Sequence, residues 1–140
     1  SAQKRLYILS HLEGGDLSYN MPGVLTVEGP LQADRLEDAF RQLIARHETL
    51  RTSFEMVEGE VVQRVYDQVE FAVERLQARE SEAEAYIESF VRSFDLRQAP
   101  LLRVRLIQTG PERHLLMYDM HHIISDGVSS NNIVQELVQL

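Results

Sequence analysis

Chemistry in this 140-residue sequence concentrates in one segment, His121-His122-Ile123-Ile124-Ser125-Asp126-Gly127. Histidine, with an ordinary pKa of about 6.5, is the usual side chain for moving protons near neutral pH, and a nearby carboxylate can hold one ring tautomer or a local geometry. Consecutive side chains of an extended run point to opposite faces, so His121 and His122 do not share a cavity: one faces a site and the other is structural. A strand ending near Ile123 would break that alternation, so periodicity leaves open which is which. Gly127 supports a tight turn directly after Asp126, which puts the histidines close to a strand end, where substrates can reach them. From spacing alone, proton transfer, metal ligation and a packed structural role all remain open.

Two arginines join this set. Arg46 and Arg51 flank His47-Glu48 at the step from a helical pattern into a strand, where a guanidinium can pair bidentately with a buried carboxylate, the obvious candidate being Asp126. The alternative is an exposed arginine whose pairing is worth less than about 1 kcal/mol. Among the other histidines, His11 lies by a glycine turn and His114 by a hairpin turn, so both are expected to be solvated. His47, at a helix end, is expected to cap or pack.

The elements that must position these residues alternate between helical and strand periods. Leu9, Leu6 and Ala2 share one face of a short helix that Gly14-Gly15-Asp16 interrupts, and Val24 to Val27 forms a strand ending at Gly29-Pro30. From Asp34 to about Arg46, the residues Leu36, Ala39, Phe40, Leu43 and Ile44 make one apolar stripe, the clearest helix in the chain. Leu50 to Val57 and Val61 to Tyr66 are strands around a Glu58-Gly59-Glu60 hairpin turn. A further helix is expected from about Glu82 to Phe94, with Glu80, Glu82, Glu84 and Glu88 on its solvated side and Pro100 beyond its end. Leu102, Val104 and Leu106 alternate with Arg103 and Arg105 in a strand whose other side is wet or paired. After a turn at Thr109-Gly110-Pro111, His114 to His121 returns as a strand, and Ser129 onward closes with a helix. The sum is an α/β (α+β layer) domain: a mixed, mostly antiparallel sheet covered by helices.

Composition narrows the classes. A hydrophobic content of 44% over 140 residues suits one compact domain, and no repeat or low-complexity linker divides the chain. No window approaches the roughly 20 apolar residues of a membrane span, and no signal-peptide core follows Ser1, so a cytoplasmic protein without membrane contact is expected. A net charge of −8 repels phosphate backbones and argues against nucleic acid as a partner. The absence of cysteine excludes disulfides and thiolate metal sites. With Asp126 better occupied by an arginine, no metal is expected.

Three separated stretches together resemble the early core motifs of condensation domains of nonribosomal peptide synthetases: Ser1-Ala2-Gln3-Lys4-Arg5-Leu6-Tyr7, Arg46-His47-Glu48-Thr49-Leu50-Arg51-Thr52-Ser53-Phe54, and Met120 to Ser129 around the two histidines. Phe94-Asp95-Leu96 and Ala99-Pro100-Leu101-Leu102-Arg103 resemble that family as well. The resemblance implies a chloramphenicol acetyltransferase-like fold in which two similar lobes form a V with the histidine loop at their junction; residues 1–140 would be the N-terminal lobe. It also implies the reaction: an acceptor amine attacks a donor thioester, both carried on the phosphopantetheine of carrier protein domains, and no cofactor is held by the chain itself. By the family pattern His122 projects toward the reaction centre, His121 and Asp126 are structural, and Arg46 or Arg51 pairs with Asp126; His122 would then act as a general base on the attacking amine or, the favoured role, orient the amine and stabilise the tetrahedral intermediate with the Gly127 N–H near the developing oxyanion.

Rival readings follow from the same loop. Epimerisation domains share it but usually place Trp where this chain has Ser130, heterocyclisation domains replace the histidines with Asp, and acyltransferases using coenzyme A share the loop, although the second motif here looks more like that of synthetase domains. Val128-Ser129 resembles the subclass joining two L-configured residues. The second lobe and all later motifs are missing from this sequence, so the lone lobe is expected to be inactive, and a non-catalytic role in binding carrier proteins is the alternative from a different class.

Overall fold

The computed structural model describes residues 20–124 and Gln135. The expected helix before Gly14, His11, the Asp126-Gly127 turn and the helix from Ser129 fall outside the described residues. Among the described residues, six strands and two helices follow in the order β1 (Asn20–Glu28), α1 (Ala33–Arg46), β2 (Thr52–Val57), β3 (Glu60–Val65), β4 (Glu74–Gln77), α2 (Glu80–Phe90), β5 (Leu102–Gly110) and β6 (Arg113–His121). The main sheet has the order β1-β6-β5-β4, with β4 parallel to β5 and the other pairs antiparallel; β2 and β3 form a separate hairpin. The α/β layer reading and its mostly antiparallel sheet hold.

Strand β1 starts four residues before the expected Val24, because it pairs with β6 along its whole length, from Asn20 opposite His121 to Glu28 opposite Arg113. As an edge strand it tolerates Pro22, whose missing N–H would break a central ladder. Gly23 lies opposite Tyr118, whose ring occupies the space a β-carbon would need. Helix α1 matches its predicted stripe: Ala39, Phe40, Leu43 and Ile44 are buried, Asp34 sits in the first turn and Arg46 in the last, both favourable to the helix dipole. In the hairpin, Glu58 (φ 52°) and Gly59 (φ 81°) both adopt left-handed backbone, as the two-residue turns that match strand twist require. Leu50 belongs not to β2 but to a 3-10 turn, Glu48–Arg51, that precedes it.

Helix α2 ends at Phe90, four residues short of the expected Phe94. Its apolar face does continue in pattern, but the Arg92 and Ser93 carbonyls are taken by side chains from distant strands: Asn20 Nδ2 donates to Arg92 O (2.7 Å), and Arg103 donates to Arg92 O (2.9 Å) and Ser93 O (2.7 Å). The non-helical segment after Phe90 is thus tied to the start of β1 and to β5. At its start, the Glu82 side chain accepts the Arg79 N–H (3.0 Å). Strand β4 is not foreseen by the pattern, since Glu74-Arg75-Leu76-Gln77 carries no alternation; it is held by pairing with β5, with Glu74 opposite Arg105. Strand β5 runs on through Gly110, so the turn is tighter and later than Thr109-Gly110-Pro111.

The sheet is covered on both faces. Leu102, Val104, Leu106, Leu116, Tyr118 and Met120 pack with Phe40, Leu43 and Ile44 of α1 on one side. Ile107 and Met117 pack with Phe90 of α2, flanked by Tyr86 and Ile87, on the other. On that second face Arg103 and Arg105 are paired rather than wet: Arg105 bonds Glu74 (2.9 Å) and Tyr86 O (3.0 Å).

Candidate active site

The two adjacent histidines end up in opposite environments. Strand β6 stops at His121, and His122–Ile124 form a 3-10 turn. His121 is buried at 2% exposure, whereas His122 is exposed. The His121 backbone N–H donates to Leu101 O (3.2 Å), and its Nδ1 accepts the Ile123 N–H (3.0 Å), so the ring braces the turn that carries His122. Phe94 meets the ring edge-on, with centroids 6.2 Å apart. Burial, then the neighbouring His122 charge, pushes the His121 pKa down to about 4, which keeps the ring neutral and Nδ1 unprotonated at neutral pH.

On the same face of β6, two residues earlier, lies a group that sequence reasoning misses. Asp119 is fully buried. Its Oδ2 accepts from Asn20 Nδ2 (2.7 Å), while Oδ1 has no hydrogen-bond partner among the described residues. Arg103 sits opposite it across the β5–β6 pair. Burial raises the carboxyl above its usual range, opposed by the Asn20 hydrogen bond, the Arg103 charge and the N–H groups of Met21 and Met120. The only sequence signal is position, since alternation puts Asp119 on the His121 side of the strand.

The arginines flank the end of α1. Arg51 donates to Ile44 O (3.1 Å), Ala45 O (3.4 Å) and Tyr66 O (2.6 Å), so its guanidinium closes the C-terminus of α1 and ties it to the chain after β3. Arg46 is exposed in the last turn. Pairing of either with Asp126, and the position of Gly127, lie outside the described residues. His47 caps α1 through its backbone N–H to Leu43 O (3.1 Å). His114, expected to be solvated, is instead 7% exposed, because its β6 position turns it inward beside Ala33 and Leu106, where its Nδ1 lacks a partner among the described residues. Among the described residues, no three potential ligands cluster for a metal and no helix is long and apolar enough to cross a bilayer.

Solved structures with this arrangement share a chloramphenicol acetyltransferase-like fold. The starter condensation domain of the rhizomide synthetase superposes with a TM-score of 0.86 at 24% identity, over 97% of this chain and 35% of that one. The first condensation domain of the calcium-dependent antibiotic synthetase, in complex with a substrate analogue, gives 0.77 at 23% identity over 87% and 31%. The condensation domain family model matches residues 1–140, and the chain belongs to that family. Relatives include tyrocidine synthase 3 of Brevibacillus parabrevis (50% identical over all of this chain and 2% of that protein) and gramicidin S synthase 2 of Aneurinibacillus migulanus (49%, over all of this chain and 3% of that protein). The chain therefore spans only a few per cent of the curated synthetases it matches.

Proposed function

We propose that residues 1–140 are the N-terminal lobe of a condensation domain that forms the peptide bond between two carrier-bound thioesters in nonribosomal peptide synthesis, and that His122 acts at the reaction centre. The observation that carries this reading is the division of labour between neighbours: His121 is buried and bonded to the turn, and His122 is exposed on it. The acceptor amine attacks the donor thioester carbonyl and a C–N bond forms; the nitrogen gives up one proton, the tetrahedral intermediate collapses with cleavage of the C–S bond, and the departing thiolate takes up a proton and leaves as the pantetheine thiol. His122 orients the amine and stabilises the intermediate, with the Gly127 N–H near the oxyanion. Positioning outweighs base catalysis here, because a free α-amine with a pKa near 8 is already partly deprotonated at neutral pH. Asp126, paired with Arg46 or Arg51, sets the loop. The phosphopantetheine arrives with the substrates and needs no site for a resident cofactor.

A second reading has one observation in its favour. Another neighbour, of 26% identity and TM-score 0.78, is the X-domain solved in complex with OxyB from teicoplanin biosynthesis, so a related fold is seen holding a partner protein. An amide-forming assay with donor and acceptor carrier proteins separates the two. The complete two-lobed domain is expected to yield the amide, residues 1–140 alone to yield none, and the second lobe added in trans to restore it. Carrier binding by the complete domain without amide formation would establish the binding role instead.

A further inference from the structure

We propose that Asp119 is a positioning residue for the His121–His122 turn, acting through Asn20 and Arg103 on the Arg92–Phe94 segment. The contacts form a continuous path. Asp119 Oδ2 holds Asn20 Nδ2 at 2.7 Å, and the same Nδ2 donates to Arg92 O at 2.7 Å. Asn20 is itself the register partner of His121, so this one side chain joins the start of β1, the end of β6 and the exit of α2. From the other side Arg103, opposite Asp119, shares the Arg92 carbonyl, adds Ser93 O, and lays its guanidinium over the Phe94 ring, 3.9 Å from the ring centroid. Phe94 then closes on the His121 ring, whose Nδ1 holds the turn.

The charges facing Asp119 explain why a carboxylate is suited to this place. Asn20 faces it from β1 and Arg103 from β5, with the Arg92 and Glu74 charges acting on Arg103 from the exit of α2 and from β4, and His121 next along its own face. Arg103 is thus drawn toward Asp119 while its N–H groups remain on the two carbonyls.

The activity half of the test rests on the condensation reading, so it is coupled to a readout that does not. In the complete domain, Asn20→Ala and Asp119→Ala are made singly and together, and the His121 and His122 imidazole resonances, melting temperature, kcat and KM for both carriers are measured. Each single variant is expected to shift the His121 resonances and to lower kcat by about 10- to 100-fold with KM nearly unchanged, as a small misplacement of a reacting group does. The double variant should do little more than either single one. Asp119→Asn, which keeps an acceptor for Asn20, should recover part of the kcat. Should Asp119→Ala not fold, Asn20→Ala, at the partly buried start of β1, decides alone. Unchanged imidazole resonances and kcat in a folded Asn20→Ala variant would overturn the proposal. Shifted resonances with an unchanged kcat would likewise overturn the positioning role, whereas a parent domain that forms no amide at all, with the resonances still shifting in the variants, would fail the condensation reading and leave the path standing.

Discussion

The Nδ1 of His121 accepts the backbone N–H of Ile123 at 3.0 Å, two residues further along the chain. The residue between them is His122, so the buried histidine fixes the backbone on both sides of the exposed one. A proton on Nδ1 would abolish that acceptor.

The first prediction follows from this proton. Unfolded, His121 titrates near 6.5; folded, burial holds it at about 4. Between those values the unfolded chain binds a proton that the folded one does not, so stability rises with pH across this window. The contribution is intact above about pH 6.5 and is lost as pH falls toward 4, by roughly 3 kcal/mol in all. Urea unfolding at about pH 7 and pH 4.5 should show the parent losing roughly 2–3 kcal/mol more than His121→Gln, which takes up no proton there. Equal losses would mean that His121 is not buried in its neutral form.

Gly23 against Tyr118 gives a packing prediction. A methyl group at position 23 would overlap the Tyr118 ring, which is itself buried among Leu116, Met120 and Val104 and has no easy retreat. Gly23→Ala should therefore destabilise by about 1–3 kcal/mol in denaturant, against the small gain such a change gives where space is open. A Gly23→Ala, Tyr118→Leu double variant should recover most of the loss; a neutral Gly23→Ala would contradict the close approach.

The arginine that serves Asp126 can be identified by double-mutant cycles. Arg51 already bonds three backbone carbonyls, so coupling to Asp126 is expected at Arg46, at about 0.5–3 kcal/mol, and close to zero at Arg51. Arg51→Ala should still destabilise, by about 1–3 kcal/mol, through loss of its charged hydrogen bonds at the end of α1. Coupling at Arg51 alone would reverse the assignment.

How much of this is legible in the sequence depends on how local each cause is. The α1 stripe and the Glu58-Gly59 turn are written into neighbouring residues, and both emerge with nearly the observed bounds. The segment after α2 escapes a local reading because the side chains that hold its Arg92 and Ser93 carbonyls come from Asn20 and Arg103, far away in sequence. Strand β4 has no pattern of its own and exists through its neighbour β5. His114 looks solvated because it adjoins a turn, yet strand alternation carries it inward. At the site, alternation alone separates the two histidines but does not say which is buried, and the family resemblance supplies the roles. Asp119 carries no signal beyond its face of β6, because its partners converge only once the sheet has formed.

The role of His122 is decided by single-turnover peptide-bond formation in the complete two-lobed domain carrying His122→Ala, with donor and acceptor carriers loaded and folding checked by urea unfolding. The variant should match the parent in stability and form the amide more slowly by about 10²–10⁴, the usual cost of losing a proton-transfer or positioning group. His121→Ala in parallel should lose stability first, by about 1–3 kcal/mol for a buried, hydrogen-bonded ring. A folded His122→Ala domain that forms the amide at the parental rate would contradict the account.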